Sequence, residues 1–572
     1  MFQLKYDAKR TAILNEAGNI LIMGGPGSGK TTIALFKAKS IVETGMLKPG
    51  QKVLFLSFAR ATISRIEEHA GALISKETKK HIEINTYHGF IWNILKNHGY
   101  LLNTHPIKLW SPHEAATKLA GVPADQQNVV KQRVFDSEGL VHFDLFAQLC
   151  NKLLSTSCPL RRIISDTYPV IILDEFQDTN LDEWELIKTL GKDSKLIALA
   201  DPDQRIFDFR GADPKRVTHF LEEYNPPVYD FGKENNRSNG TDIAQYGNDL
   251  LSGNNKGKTY CNVKVIYYPF RKKPFSHVSL KYCVISAIRR LNQNSPNDWS
   301  LAVLVPTNAL MMEVSDTLQR VQTAKNGQKL PSIPHEVAIE TSGPSLAAVF
   351  LATLLEENRN ANSVITALIN HISGRRGNKP ATKDDVAVAT ALEKYIGSGK
   401  ITGKKRLEII DDCNLLIEEA DKGFFSGNII ADWKRLTDLI NSRNSDYLKR
   451  IASDLRYLRL LQRGSQLYAS LDELWRSSHS YNGAVNAVSE ALMQEHFSLS
   501  TKSWDGVNVM TIHKAKGKEF DEVIIYEGWY QNRFVSKPER LDQARLNLRV
   551  AVTRARMRST ILTPEVDPCP LL

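Results

Sequence analysis

Ile20-Leu21-Ile22-Met23-Gly24-Gly25-Pro26-Gly27-Ser28-Gly29-Lys30-Thr31-Thr32 is the stretch that decides the fold. The apolar run before Gly24 follows a Gly18-Asn19 turn signal and reads as a buried strand. Thr31 to Val42 has helical spacing. The glycines between them fit G-x-x-x-x-G-K-[ST] in full, in the strand–loop–helix context that this pattern needs. Glycines let backbone N–H groups turn inward around phosphate oxygens, and the helix N-terminus adds positive partial charge. Gly24, Gly25, Pro26, Gly27, Ser28 and Gly29 are therefore expected to cradle phosphates, with Thr32 just beyond them. Lys30 is expected on the β- and γ-phosphates, and the Thr31 hydroxyl on Mg²⁺.

Outward from this loop, three more apolar runs read as strands: Val53 to Phe58, Tyr168 to Leu173, and Lys195 to Ala200. Strands alternating with helical stretches predict a parallel sheet covered on both faces. The third strand runs into Asp174-Glu175-Phe176-Gln177-Asp178. Adjacent carboxylates at a strand end beside a phosphate loop can divide two tasks. Asp174 is expected to hold Mg²⁺ through its water shell, and Glu175 to polarise the attacking water. Leu301 to Val305 and Glu522 to Tyr526 predict a second α/β lobe. A helical insertion is expected at about 92–150, and a longer helical region at about 346–497. Gly374 to Lys379 and Gly397 to Lys405 read as loops within it.

Composition narrows the class. The chain has 572 residues, 42% hydrophobic and 24% charged, which fits a globular protein of several lobes. No apolar run approaches the roughly 18 residues that span a bilayer. Leu346 to Leu355 reads as a buried helix, and Met1 to Asp7 has no apolar h-region, so no secretory signal is expected. The net charge of +11 favours a polyanionic partner, nucleic acid before membrane. Six cysteines without a C-x-x-C pair argue against a disulfide scaffold, structural zinc or an iron–sulfur cluster, and read as reduced thiols in a reducing cytoplasm.

Further blocks occur in a definite order: Ser57-Phe58-Ala59-Arg60-Ala61, Thr86-Tyr87-His88-Gly89-Phe90, Val141-His142-Phe143-Asp144-Leu145, and Asp174 to Asn180. They continue with Ala200 to Ala212 (ADPDQRIFDFRGA), Asn235-Asn236-Arg237-Ser238, Val509 to Phe520 (VMTIHKAKGKEF), and Val550-Ala551-Val552-Thr553-Arg554-Ala555. With these blocks the chain resembles the superfamily 1A DNA helicases, the UvrD/Rep/PcrA-like group, over almost its whole length. The resemblance implies an α/β fold of two RecA-like P-loop NTPase lobes, each with a mainly helical insertion. The first lobe is expected at 1–91 and 151–235 with its insertion at 92–150; the second at 236–345 and 498–572 with its insertion at 346–497.

The same resemblance implies ATP and Mg²⁺ as ligands and single-stranded or tailed duplex DNA as the partner, with 3′-to-5′ movement. It assigns Gln204 to sensing the γ-phosphate, and Arg237 and Arg554 to charge stabilisation across the cleft, the alternative for each arginine being a surface ion pair. Glu519 is implied on the ribose, and Gly517 at a close backbone approach. Single-strand binding without sequence preference needs aromatic faces and polar groups on phosphates. Phe58, Phe207 and Phe209 match positions lining that track, and Thr86, His88, Asn308, Thr511 and His513 match positions touching the backbone. Core packing is the competing reading for Phe207, Phe209, His88 and His513.

Two departures fall on the base subsite. Lys9 stands where the family usually has a Gln that reads the adenine edge, and Asn236 where it has a stacking Tyr. Lys is donor-only and an amide stacks poorly, so weaker adenine selectivity, or a different hold on the base, is expected. Glu183 and Lys518 replace the usual Gln and Leu, with no role read from sequence. Lys449, Arg450, Arg456, Arg459 and Arg463 lie off an apolar helical stripe and read as a solvated face, or as a contact to duplex DNA or a partner. Compact UvrD-like subunits of anti-phage systems, such as the Gabija helicase subunit, are similar in size and plan. That likeness implies an alternative role as a nucleotide-gated DNA-end sensor with a nuclease or other protein partner. The motifs do not separate repair from phage defence.

Overall fold

The computed structural model describes residues 7–58, 74–110, 115, 118–119, 122–123, 125–204, 213–232, 234–270, 277–294, 298–324, 327–338, 342–376, 381–456, 466–497, 504–535 and 538–572. The chain forms two compact units, one built from Met1–Ile94, Ala147–Ala338 and Leu499–Leu572, the other from Leu95–Phe146 and Ile339–Ser498.

The first unit opens with α1 (Ala8–Asn15), capped by the Asp7 side chain, which accepts from the Arg10 N–H. There follow β1 (Ile20–Met23), α2 (Lys30–Glu43), β2 (Val53–Ser57), β3 (Ile82–Thr86), β4 (Val170–Leu173), α3 (Leu181–Leu190), β5 (Lys195–Ala200) and β6 (Val228–Asp230). These strands make a six-stranded sheet in the order β3-β2-β4-β5-β1-β6. Every pairing in it is parallel. Such a sheet is buried on both faces, which is why its central strands are continuous apolar runs. All residues of β2 and β4 are buried. From α2, Ile33, Ala34 and Ala38 pack on Ile20, Ile22, Phe55, Ile172 and Leu199.

A second sheet lies in the same unit. Its frame is α4 (Ile243–Ser252), β7 (Val263–Tyr268), α5 (Val278–Asn294), β8 (Ser300–Val305), α6 (Asn308–Gln319), β9 (Glu336–Ala338), β10 (Gly506–Thr511), β11 (Phe520–Tyr526), α7 (Leu541–Val552) and β12 (Ala555–Pro564). Six strands run in the order β9-β10-β8-β11-β12-β7, again all parallel. Ile243 and Leu250 of α4, and Leu548 and Val552 of α7, pack with Leu304, Met510, Ile525 and Ile561 from the strands. The fold is thus α/β with two RecA-like lobes.

In the second unit, eight helices occupy the described residues between 342 and 497, beginning with Ser342–Leu355 and Ala361–Gly374. The apolar run from Leu346 to Leu355 is a buried helix, as expected, and packs with Leu368, Leu416, Trp433, Leu436 and Ile451. The segment 397–405 differs from the expected loop: one helix continues through Ser398 and the next begins at Lys404. Only 399–403 lies between them, because Gly399 takes the left-handed conformation that caps the first helix (φ 66°). Gly374 likewise belongs to a helix end, while 377–380 lie outside the described residues. Of the basic residues noted on the helix Asp446–Leu455, Arg450 pairs with Asp385 at 3.1 Å and lies over the Tyr447 ring. Arg459 and Arg463 fall outside the described residues. The segment before Phe146 contains the helix Gln127–Glu138 and a small parallel ribbon joining Lys108–Leu109 to Leu140–Val141, next to a buried Trp110. Among the described residues no helix is long and apolar enough to cross a membrane.

Phe350 is fully buried in the helical core. Phe350→Ala should therefore destabilise that body by about 3–5 kcal/mol. The expected readout is a lower urea midpoint followed through the fluorescence of Trp433 and Trp475, which belong to the same core.

Candidate functional site

In a parallel sheet all strands end on the same side, and that side collects the loops able to bind a ligand. β4, β5 and β1 are consecutive neighbours in the first sheet. Their ends bring together Asp174 and Glu175, Asp201 to Gln204, and the glycine loop from Gly24. Segments some 150 residues apart in sequence meet for this reason.

The glycine loop leads into the 14-residue helix α2, whose N-terminus has no side-chain cap. Its free N–H groups and aligned peptide dipoles suit an anion. The Lys30 ammonium turns back to the Gly24 and Gly25 carbonyls at 2.5 and 3.2 Å. The Ser28 hydroxyl is buried and has no hydrogen-bond partner among the described residues. Gly27 is crowded from outside: a Cβ there would lie 2.5 Å from Asn235 Oδ1 and 2.6 Å from Arg237 Cβ, so only glycine fits. An orphaned hydroxyl, a lysine and an uncapped helix start fit a nucleotide phosphate chain. Thr31, in the first turn of α2, and Asp174 are the oxygen donors that would hold its Mg²⁺.

Asp174 is buried and accepts from Ser57 Oγ at 3.1 Å. Glu175 sits in the left-handed region (φ 53°), a strained conformation for a side chain with a Cβ. Its carboxylate accepts from Gln177 Nε2 at 2.6 Å and lies 3.6 Å from the Lys516 ammonium. Burial opposes its ionisation, but the charges of Lys516 and Lys30 and the Gln177 amide outweigh that effect, holding the carboxyl below its usual range. Glu175 is therefore ionised at neutral pH, as a proton acceptor must be.

Gln204 donates from Nε2 to Asp201 at 2.7 Å, and its Oε1 accepts from Arg554 Nη2, also at 2.7 Å. Arg554 is itself buried and ties back to the Val550 carbonyl. Arg237 meets Glu519, with Nη2 at 2.7 Å, and donates to the Thr553 carbonyl at 3.0 Å. Two residues that sequence assigned to different parts of a nucleotide, phosphate and ribose, thus pair with each other. Gly517 adopts a positive φ of 77° just before this segment.

Two residues of this cluster carried no role in the sequence reading. Lys516, 4% exposed, contacts Asp178 and donates to the Gln204 carbonyl at 2.6 Å. Gln177 links Glu175 to Asp201, whose N–H it accepts at 3.0 Å. Both lie inside quoted motifs, but the motifs do not show which groups they meet.

The positions expected along a nucleic-acid track follow other strand ends. Phe58 follows β2 and stacks on Tyr87, with ring centroids 4.3 Å apart. Thr86 ends the neighbouring β3, and its hydroxyl accepts from the Gly89 N–H at 2.9 Å, starting the helix Tyr87–His98 that carries His88. In the second sheet, Asn308 opens α6 after β8, and Thr511 ends β10, the strand beside β8, just before the short helix Ile512–Ala515 that carries His513. Phe207 and Phe209 lie outside the described residues.

At the base subsite the Lys9 ammonium donates to the Asp230 carbonyl, and Arg10 pairs with Asp7 and with Glu234, its guanidinium 4.7 Å from the centre of the Phe231 ring. The Asn236 N–H binds the Gly27 carbonyl at 2.8 Å, and its side-chain amide lies against Gly29. The unassigned Glu183 closes a capping box with Asn180 at the start of α3. Lys518 places its ammonium 4.9 Å from the centre of the Trp504 ring.

Fold and site together define a P-loop nucleotide hydrolase with a second RecA-like lobe. The UvrD/REP helicase N-terminal domain matches residues 6–140 and 127–225, and the UvrD-like helicase C-terminal domain matches 426–564. DNA helicase II of Escherichia coli is 22% identical over 98% of this chain and 84% of its own length. DNA helicase II of Haemophilus influenzae is 21% identical over 97% and 83%. The ATP-dependent DNA helicase PcrA of Leuconostoc citreum is 21% identical over 54% and 47%. The chain belongs to the UvrD/REP helicase family.

Two predictions follow from the site. Burial pushes the Lys30 ammonium below its ordinary value near 10.5, against the pull of Asp201, Glu175 and Asp174. A bound phosphate favours the charged amine, so affinity should weaken as pH rises through the lowered value. Titrating a fluorescent ADP analogue should show this decline starting below pH 10.5, and Lys30→Arg should abolish it. For the base, Lys9 offers no acceptor beside its donors, and Asn236 offers no stacking ring. ATP, GTP, CTP and UTP should be hydrolysed with kcat/KM values far closer than the about 10⁴-fold discrimination of a site built to read one base. Strict preference for ATP would refute this account of the subsite.

Proposed function

We propose that the chain is an ATP-dependent DNA helicase or translocase that moves 3′ to 5′ on single strands. Its RecA-like lobes are 1–91 with 151–235, and 236–345 with 498–572; the insertions are 92–150 and 346–497. The observation that carries the reading is the contact set joining the strand ends of the first sheet to the second. Lys516 reaches Asp178 and Gln204, and Arg554 reaches the Gln204 amide. Residues beside the phosphate loop are thereby coupled to the end of β10, which carries Thr511, and to the segment after it, which carries His513.

In hydrolysis, a water oxygen attacks the γ-phosphorus, the bond to the β–γ bridging oxygen breaks, and ADP leaves. Glu175 takes the water proton. Charge spreads over the equatorial oxygens, and Lys30, Arg237 and Arg554 are the cations assigned to stabilise it. Bound Mg²⁺ would neutralise part of the phosphate charge. Because Arg237 and Arg554 enter from the Asn235–Ser238 and Val550–Ala555 segments, nucleotide turnover changes the contacts between the lobes. Alternating grip on stacked bases along the track then turns each cycle into a step. A cytoplasmic location fits this substrate.

The test is steady-state hydrolysis with and without single-stranded DNA, followed by displacement of 3′- and 5′-tailed duplexes. Stimulation by DNA with displacement of the 3′-tailed duplex is the expected result. Stimulated hydrolysis without displacement, restored by a copurifying nuclease or other partner, would instead assign the chain to the end-sensing role. Glu175→Gln should still bind nucleotide and DNA while turnover falls by about 10²–10⁴-fold. Appreciable turnover by that variant would remove Glu175 from its proposed role.

A further inference from the structure

α7 sends a second arginine toward the first lobe, five residues before Arg554. Arg549 is 2% exposed. Its Nη1 donates to the Asp203 carbonyl at 3.1 Å and lies 3.7 Å from Asp201 Oδ2. Its Nη2 donates to Asn248 Oδ1 of α4 at 3.2 Å and is 4.0 Å from the Asp203 carboxylate. The Nε is buried with no hydrogen-bond partner among the described residues. The guanidinium also lies against the phosphate loop, since a Cβ on Gly25 would sit 3.8 Å from Nη2. Room for it comes from Gly247 on α4, where a Cβ would meet the Arg549 stem at 3.4 Å and Thr553 at 3.0 Å.

The carboxylate of Asp201 is the link to the reaction. It is buried, and the oxygen nearest Arg549 is also the one that accepts from Gln204 Nε2 at 2.7 Å. The other carboxylate oxygen accepts from the Asp203 N–H at 3.1 Å. Gln204 can satisfy both neighbours in only one orientation, with its amino group on Asp201 and its carbonyl on Arg554. Asp201 in turn can stay in place, buried, only while a cation faces it.

We propose that Arg549 is a positioning residue for hydrolysis: by holding Asp201 it fixes the orientation of the Gln204 amide, so that the sensing residue meets the γ-phosphate correctly. The proposal rests on the ATP-hydrolysing reading above. It adds a third arginine from the second lobe, one that acts through a carboxylate of the first.

The test is a double-mutant cycle on kcat, measured with and without single-stranded DNA, using Arg549→Ala, Gln204→Ala and the double variant of the full chain. Arg549→Ala should lower kcat by between about 10- and 100-fold, as misplacement of a reacting group does, while the Kd for a fluorescent ADP analogue stays nearly unchanged. The double variant should be no slower than Gln204→Ala alone, because both changes remove one device. Arg549→Lys keeps a cation facing Asp201 and should recover most of the rate; it also serves if the alanine variant does not fold. Additive losses in the cycle would overturn the proposal, as would a folded lysine variant as slow as the alanine one, which would indicate direct phosphate contact. Wild-type protein without nucleotide hydrolysis would defeat the underlying reading, whereas active wild type with an unaffected Arg549→Ala defeats only this inference.

Discussion

Lys516 is 4% exposed, so its ammonium has exchanged nearly all of its water for protein oxygens. Asp178 and the Gln204 carbonyl contact it directly, and Glu175 lies 3.6 Å away. Those oxygens follow β4 and β5 of the first sheet, whereas the lysine follows β10 of the second. Burying a cation is costly unless its partners are already in position. One charge therefore ties the relative placement of two sheets to the conformation of the acidic loop. The strained Glu175 backbone belongs to the same arrangement, because its carboxylate meets Lys516 and Gln177 from that φ.

The sheets make such a focus possible. With all strands parallel, every strand leaves the sheet on the same side, and neighbours in the sheet need not be neighbours in sequence. The order β4-β5-β1 gathers acid, amide and phosphate loop; the adjacent β3-β2 carry Phe58, Thr86 and His88. In the second sheet the adjacent β10-β8 carry Thr511, His513 and Asn308. Nucleotide chemistry and the candidate nucleic-acid positions are therefore separated along the sheet, yet remain on the same strand-end face. A rigid α/β layer is what lets a change at one set of ends bear on the next.

The strands legible in the sequence were those in the middle of each sheet. Ile20–Met23, Val170–Leu173 and Ser300–Val305 are continuous apolar runs because both faces are covered. Strands such as Val228–Asp230 and Glu336–Ala338 escaped notice: they are short, lie at sheet edges and keep partly exposed residues. The same contrast governs the site. Lys30, Asp174 and Glu175 announce themselves through local pattern, since loop, strand and helix are contiguous. Lys516 and Arg549 do not, because their meaning lies in partners that are remote in sequence: Asp178 is 338 residues from Lys516, and the Asp203 carbonyl 346 from Arg549. Glu183 shows the opposite case: a departure from the family's usual residue is explained by a local capping box, which Glu and Gln can both close.

The pairing of Arg237 with Glu519 adds a constraint that neither residue suggests alone. Their side chains are only 10% and 15% exposed, so the attraction is weakly screened. Under the proposed assignments a nucleotide draws Arg237 toward phosphate and Glu519 toward ribose, and so must replace this ion pair with its own contacts. Arg556 already lies 3.4 Å from Glu519, and the Thr553 carbonyl already accepts from Arg237. Each member thus keeps one partner when the pair separates, which lowers the cost of the exchange. Thr553 is the residue next to Arg554, so the carbonyl that accepts from Arg237 belongs to the peptide unit leading into the arginine on Gln204. Under the proposed assignments, nucleotide binding at the first sheet and the orientation of the Gln204 amide therefore act on one contiguous set of contacts.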